Sequence, residues 1–128
     1  MSDATTGSRV CRISPTGFGL LKKADATSVQ LVWKQNAPDA RIAVTRVSLE
    51  PGGVQDRHCH PGAEQTWIVE SGRANVLLAD GVLAVSAGDV VRTPPGQIHG
   101  LSNQGSEAFV YLTITTPPED FATFYDAP

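Results

Sequence analysis

The chain contains three histidines, and two of them form the triplet His58-x-His60 directly after a glycine-rich segment. In an extended backbone, residues i and i+2 point to the same face, so both imidazoles can reach one common point. Cys59 then points to the opposite face and need not be a ligand. His99 follows 39 positions after His60. Because neutral imidazole is the commonest metal-ligating side chain, the three histidines are candidates for a single metal site.

The triplet alone is weak evidence, because His-x-His also arises by chance and most isolated histidines are surface or hydrogen-bonded residues. The residues around the histidines strengthen it. A first pattern runs Gly52, five residues, His58-x-His60, four residues, Gln65, six residues, Gly72. A second pattern, fifteen residues later, runs Gly88, five residues, Pro94-x-Gly96, two residues, His99, three residues, Asn103.

These two patterns resemble the two conserved motifs of the cupin family, in the correct order and at the short spacing of compact bacterial cupins. The resemblance implies that His58, His60 and His99 converge on one divalent ion, which is zinc, nickel, manganese or iron in such proteins. It also implies a small-molecule ligand and a homodimer, for which the apolar segment 31–33 offers material for sheet packing or strand exchange.

The first cupin motif usually supplies a glutamate as the fourth ligand, and here Glu64 and Gln65 are adjacent. Only one of two neighbouring strand residues can face the interior. The spacing to Gly72 selects Gln65. Positions that alternate with Gln65 are largely bulky and apolar, whereas the set containing Glu64 includes a second carboxylate, which suits solvent. We therefore expect Gln65 to face inward, as a direct ligand or as a partner of a metal-bound water or histidine, with Glu64 as the alternative.

Four further residues are possible pocket groups, and each also has an ordinary structural interpretation. Trp67 shares the parity of Gln65 and is either a pocket wall or core. Tyr111 and Thr113 share one face of the last predicted strand, where they line the pocket or simply pack. Arg46 faces either a substrate carboxylate or solvent. The sequence does not decide among these alternatives.

The sequence predicts that the elements positioning these residues are short strands. Twelve glycines and nine prolines are scattered between β-branched runs, and no apolar period of 3.6 persists over three turns. Asp80-Gly81 between two apolar runs predicts a hairpin. About eight or nine short strands indicate an all-β, antiparallel jelly-roll barrel. We predict an irregular N-terminal arm over residues 1–28, the barrel over 29–116, and a tail over 117–128 with a short helix around 119–125.

Composition excludes several classes of function. The chain has 128 residues, 41% hydrophobic and 18% charged, and a net charge of −3, which gives no reason to expect nucleic acid or an anionic membrane as partner. No apolar stretch has the length of a membrane span or a signal-peptide core. Two cysteines, Cys11 and Cys59, are too few for a disulfide framework. These features predict a cytoplasmic protein.

Three functions are compatible with such a site. A divalent ion held by three histidines and a neutral amide keeps its full formal charge, which favours Lewis-acid chemistry on an oxygen-bearing substrate such as a sugar acid. The His-x-His-Pro run and the glutamine resemble small cupins that act on unsaturated uronates, although the acidic and arginine groups of their last strand have no counterpart in residues 111–115. An iron(II) dioxygenase and a non-catalytic metabolite-binding cupin are the alternatives.

Overall fold

The computed structural model describes residues 9–124 of the chain. Within that range the regular structure consists mainly of short strands that end at glycine- and proline-containing turns. Its ten strands are β1 (Gly19–Lys23), β2 (Ala26–Val32), β3 (Ala43–Leu49), β4 (Val54–His58), β5 (Glu64–Ser71), β6 (Arg73–Leu78), β7 (Gly81–Ser86), β8 (Val90–Thr93), β9 (His99–Ser102) and β10 (Phe109–Thr116).

The strands form two antiparallel sheets. One has six strands in the order β1-β2-β3-β10-β5-β8, and the other has four in the order β4-β9-β6-β7. Neighbours such as β3 and β10, or β4 and β9, are far apart in sequence, which is the crossover pattern of a jelly roll. The predicted all-β jelly roll is therefore confirmed, and it is built as two facing sheets.

The core lies between the inner faces of the two sheets. Along β3 the burial alternates with period two, so that alternate residues from Ala43 to Leu49 point inward. Leu49, Leu101 and Phe109 have no exposed surface. Each such side chain removed from water contributes about 1.5–3 kcal/mol, and this packing fixes the position of the polar groups that share the interior.

The predicted irregular arm over residues 1–28 is wrong in its second half. β1 pairs with β2 through a tight turn, and β2 already begins at Ala26 rather than at Val29. β1 is an edge strand with little burial, so it shows no apolar alternation. The turn also lacks the usual glycine or asparagine signal. Ala24 takes the positive φ there, at 46°. Residues 1–8 lie outside the described range.

The C-terminal tail forms a short 3-10 helix at Phe121–Phe124, where a helix around 119–125 was predicted. Residues 125–128 lie outside the described range. Among the residues that the structure describes, no helix has both the length and the apolar character needed to cross a membrane.

Candidate metal centre

Two of the three histidines face each other across one strand pair. His58 ends β4 and His99 begins β9, and the two are register partners in the antiparallel ladder. Gly100 allows this close pairing, because a Cβ there would lie 2.7 Å from the carbonyl oxygen of Gln55 and 3.0 Å from the backbone nitrogen of Arg57. The absence of a side chain at Gly100 therefore positions His99 against His58.

His60 reaches the same point from the loop that follows β4. Its carbonyl oxygen accepts the backbone N–H of Gly96 at 3.1 Å, which joins the loop of the first motif to the turn of the second. Gly96 has a φ of 77°, a conformation that side chains disfavour, and the turn it permits delivers His99. The two motifs are thus tied together by a backbone hydrogen bond beside the histidines.

The three imidazoles form a compact cluster. The ring centroid of His58 lies 5.0 Å from that of His60 and 4.6 Å from that of His99. The centroids of His60 and His99 are 5.3 Å apart. One ligand nitrogen from each ring lies within 4.8 Å of the others. His60 and His99 are only 4% and 3% exposed. A single ion placed between the rings can be reached by all three.

Hydrogen bonds select which ring nitrogen faces the centre. Nδ1 of His58 lies 2.7 Å from the carbonyl oxygen of Asp56, and Nδ1 of His99 lies 3.0 Å from that of Gln97. A carbonyl can only accept, so each Nδ1 carries the proton and each Nε2 keeps its lone pair. Nε2 of His99 is buried and has no hydrogen-bond partner among residues 9–124. Such an orphaned acceptor inside a histidine cluster fits a metal ion.

Gln65 lies on the inner face of β5 and lines the same cavity as the histidines. Its Oε1 accepts the indole N–H of Trp67, and its Nε2 donates to Oγ1 of Thr115, both at 3.1 Å. Glu64 points outward and pairs with Arg92 at 3.1 Å. The strand alternation that the sequence indicated therefore holds here, and the amide is the inward group.

One residue beside the histidines was missed by the sequence analysis. Oε1 of Glu119, from the segment after β10, lies 2.6 Å from Nδ1 of His60. Glu119 follows Pro117-Pro118 in a stretch predicted only as a tail. No spacing rule connects it to His60, so the sequence offers no signal for this contact.

A cavity of about 260 Å³ opens beside the cluster, between the two sheets. Trp67, Tyr111 and Thr113 line it, which is one of the two alternatives that the sequence left open for each. The rings of Trp67 and Tyr111 pack with centroids 4.7 Å apart and form an aromatic wall. Arg46 does not line it, because Arg46 is exposed on the outer face of β3 and pairs with Glu70 at 2.9 Å. The pocket role considered for Arg46 is wrong, since its neighbours Thr45 and Val47 hold the inward positions.

The family model described as the cupin domain matches residues 45–115, more than half of the chain. This chain belongs to the cupin family. The match begins on β3, ends on β10 and includes all three histidines, so the geometry and the family assignment point to the same part of the molecule.

Sequence and structure relatives agree with the cupin assignment. A probable oxalate decarboxylase of Arthroderma benhamiae is 33% identical over 94 residues, which cover 68% of this chain and 23% of that protein. The oxalate decarboxylase OxdC of Bacillus subtilis is 35% identical over 78 residues, which cover 57% of this chain and 20% of that protein. The chain thus spans less than half the length of the curated relatives it matches. A solved structure of a predicted oxalate decarboxylase from Thermotoga maritima superimposes with a TM-score of 0.72 at 17% identity. The superposition covers 84% of this chain and 99% of that protein.

Burial affects the protonation of two histidines of the cluster. It lowers the pKa of His99 to about 4, although the hydrogen bond to Gln97 acts in the opposite direction. Burial also lowers the pKa of His60, against the attraction of Glu119. Both rings are therefore neutral at neutral pH, and a neutral imidazole is the form that coordinates a divalent ion.

Proposed function

We propose that this cupin holds one divalent metal ion through His58, His60 and His99 and uses it on a small oxygen-bearing substrate, such as a sugar acid. The observation that carries this proposal is the convergence of three imidazoles at the wall of a 260 Å³ cavity. That volume is near the lower end of ordinary ligand pockets, about 300–1,000 Å³. The ion would act as a Lewis acid on a substrate oxygen.

The uncharged fourth position supports Lewis-acid chemistry. Gln65 is the inward polar group of β5, and the carboxylate of Glu64 is outside. Because an amide adds no negative charge, a divalent ion bound here would keep a larger effective charge than beside a carboxylate. The bonds that Gln65 makes to Trp67 and Thr115 would hold its oxygen on the cavity side, as a ligand or as an acceptor for a bound water.

Charge at the cavity supports an anionic substrate. Lys23 and Arg57 both line the cavity, where Asp56 is the opposing charge. A carboxylate on the substrate would be attracted to the two cations while its oxygen atoms approach the histidines. The similarity to two oxalate decarboxylases, whose names specify a dicarboxylic acid, points to the same chemical class.

The remaining cavity residues would orient the substrate and exclude water. Oγ1 of Thr113 is buried and has no hydrogen-bond partner in the described part of the chain, so it would be available to a substrate hydroxyl or carbonyl. The aromatic wall of Trp67 and Tyr111 would cover the apolar side of the substrate. A dry pocket strengthens the attraction between a polarised substrate oxygen and the groups that face it.

The test is metal loading followed by substrate screening. Protein loaded separately with zinc, nickel, manganese and iron(II) would be incubated with sugar acids and dicarboxylic acids, with products followed by NMR in air and under argon. We expect turnover that is independent of oxygen and absent from His99→Ala. Oxygen uptake restricted to the iron form would replace this proposal with a dioxygenase. Ligand binding without turnover by any metal form would replace it with a metabolite-binding cupin.

Metal analysis tests the ligand set separately from the reaction. Wild-type protein, His99→Ala and Gln65→Ala would be compared by elemental analysis after equilibration with each metal. We expect His99→Ala to lose the ion, because two imidazoles remain. Undiminished metal in His99→Ala would refute the site. Undiminished metal in Gln65→Ala would show that the amide acts through water or a neighbouring residue.

We also propose that the protein is a homodimer. Ile68 and Val90 are register partners on β5 and β8 and remain 38% and 65% exposed on the outer face of the six-stranded sheet. Neighbouring apolar groups on one sheet face are typical of an interface. Sedimentation equilibrium should give twice the 13.5 kDa chain mass, and Val90→Glu should shift it toward the monomer. A wild-type mass of 13.5 kDa would contradict the dimer.

A further inference from the structure

The segment after β10 brings a half-buried carboxylate, that of Glu119, against the histidine cluster. Oε1 of Glu119 and Nδ1 of His60 are 2.6 Å apart, and neither atom is accessible to solvent. At that distance two bare lone pairs would repel, whereas a proton on Nδ1 is attracted to the carboxylate. The contact therefore favours the neutral tautomer that has its proton on Nδ1, and Nε2 then keeps its lone pair for the cluster.

A carboxylate behind a ligand histidine has two effects. It fixes the tautomer and the rotation of the ring, and it makes the opposite nitrogen a more basic donor to a metal. His58 and His99 receive the first effect from backbone carbonyls of their own strands. His60 lies outside the strands and has its Nδ1 against Glu119.

The same segment also forms part of the cavity. The ring of Phe121 meets the ring of His60 edge to face, with centroids 6.1 Å apart, and lines the cavity. Asp120 anchors the segment on the other side, since its Oδ2 accepts from Nζ of Lys34 at 2.7 Å. Residues 119–121 therefore alternate between inward contacts at the cluster and an outward contact at the β2–β3 connection.

We propose that Glu119 is a positioning residue for His60, and that docking of residues 117–124 is coupled to metal binding through this contact. The proposal rests on the metal site proposed above, but not on any particular reaction. A docked segment aims Nε2 of His60 at the ion, and a bound ion in turn holds His60 in the rotamer that places Nδ1 against Glu119. Such coupling is reciprocal by thermodynamic necessity.

Metal affinity of three variants tests the positioning role. Zinc or nickel would be titrated by calorimetry into metal-free wild type, Glu119→Ala, Glu119→Gln and Asp120→Asn. We expect Glu119→Ala to weaken binding roughly 10- to 100-fold, the usual cost of removing such a partner. Glu119→Gln, which keeps an acceptor but no charge, should fall between Glu119→Ala and wild type. Asp120→Asn weakens the anchor of the same segment without touching His60, so its affinity should fall much less than that of Glu119→Ala.

A purely structural role for Glu119 gives a different result. Glu119→Ala would then lower the melting temperature of the metal-free protein, and the folded fraction would bind metal as tightly as wild type. That outcome overturns the proposal. Equal losses in Glu119→Ala and Asp120→Asn would also overturn it, because the segment as a whole rather than the carboxylate would then be responsible.

Hydrogen exchange of the segment tests the coupling in the other direction. Amides of residues 117–124 should exchange more slowly in wild type with metal than without it, and this difference should vanish in Glu119→Ala. Metal-independent exchange in wild type contradicts the coupling. Metal binding that depends on Glu119 but supports no turnover refutes the proposed enzymatic function and leaves this inference intact. A wild type that binds no metal refutes both.

Discussion

The strand pair β4–β9 and the C-terminal segment support the histidine cluster in different ways. In the strand pair, His58 and His99 are each held by the carbonyl two residues earlier in the same strand region. His60 instead meets Glu119, which lies 59 positions later in the chain. Local support forms with the strand itself, whereas distant support requires a second segment to dock. Two histidines of the cluster are therefore part of the sheet, and the third contacts the tail.

The largest expected effect concerns His99 in the β4–β9 pair and the response of protein stability to pH. His99 has a pKa of about 4 in the folded protein and about 6.5 when unfolded, so the unfolded state binds more protons between these values. The free energy of unfolding of the metal-free protein should therefore fall as the pH is lowered from about 7 to about 4, by up to about 3 kcal/mol. Urea denaturation at several pH values measures this.

The lowered pKa of His60 should add to that slope in the same direction. His99→Asn is the matched control, because it removes the titrating group and should flatten the dependence. An identical slope in wild type and His99→Asn would place the effect elsewhere in the molecule.

Gly100→Ala tests how closely β4 and β9 must approach each other. The new Cβ would meet the backbone of Gln55 and Arg57 within 3.1 Å, so β9 must shift away from β4. Overpacking of this kind costs about 1–3 kcal/mol. We expect this loss in urea denaturation, together with weaker metal binding, because His99 moves relative to His58.

Gly62→Ala is the control for that substitution, since nothing lies within 4 Å of its Cβ position. It should leave both stability and metal affinity close to wild type. If Gly100→Ala behaves like Gly62→Ala, the close strand approach does not position His99.

Phe121→Ala tests the tail side of the comparison. The substitution removes the edge-to-face contact with His60 and part of the cavity wall. Aromatic pairs of this kind contribute about 0.5–1.5 kcal/mol beyond their buried area. The melting temperature should decrease modestly, and residues 117–124 should exchange hydrogen faster. Unchanged exchange would mean that Phe121 does not hold the segment in place.

The smallest effect is expected for Lys34→Ala. Its ion pair with Asp120 is exposed, at 59% and 41%, and such pairs contribute about 0.2–1 kcal/mol. The loss should shrink further in high salt. A stability change well above 1 kcal/mol would show that this anchor matters more to the tail than the buried contact of Glu119.

The sequence predicts the part of the site that depends on local periodicity. Alternation along residues 64–70 identifies Gln65 and Trp67 as inward and Glu64 as outward, because one face of β5 is buried and the other is in water. The placement of His99 beside His58 follows from motif spacing that the family shares. These features are encoded within a few residues of each group.

Other features depend on contacts that no local pattern records. β1 lies at a sheet edge, where both faces stay partly exposed and no alternation develops. Arg46 could be assigned to neither face before the inward positions of Thr45 and Val47 were known. The pairing of Glu119 with His60 depends on where the chain turns after β10. Motif spacing therefore indicated the histidine cluster, and tertiary packing determines what contacts His60.

The pairing of His58 with His99 across one ladder has a consequence for metal choice. Adjacent strands keep a separation of about 4.7–4.9 Å, so in the proposed site the backbone would set the spacing of these two imidazoles. His60, on a loop outside the ladder, would have more freedom to adjust to the radius of the ion. Discrimination between a small and a larger cation would then fall to the loop ligand, and exchanging the loop should retune metal preference without disturbing the sheets.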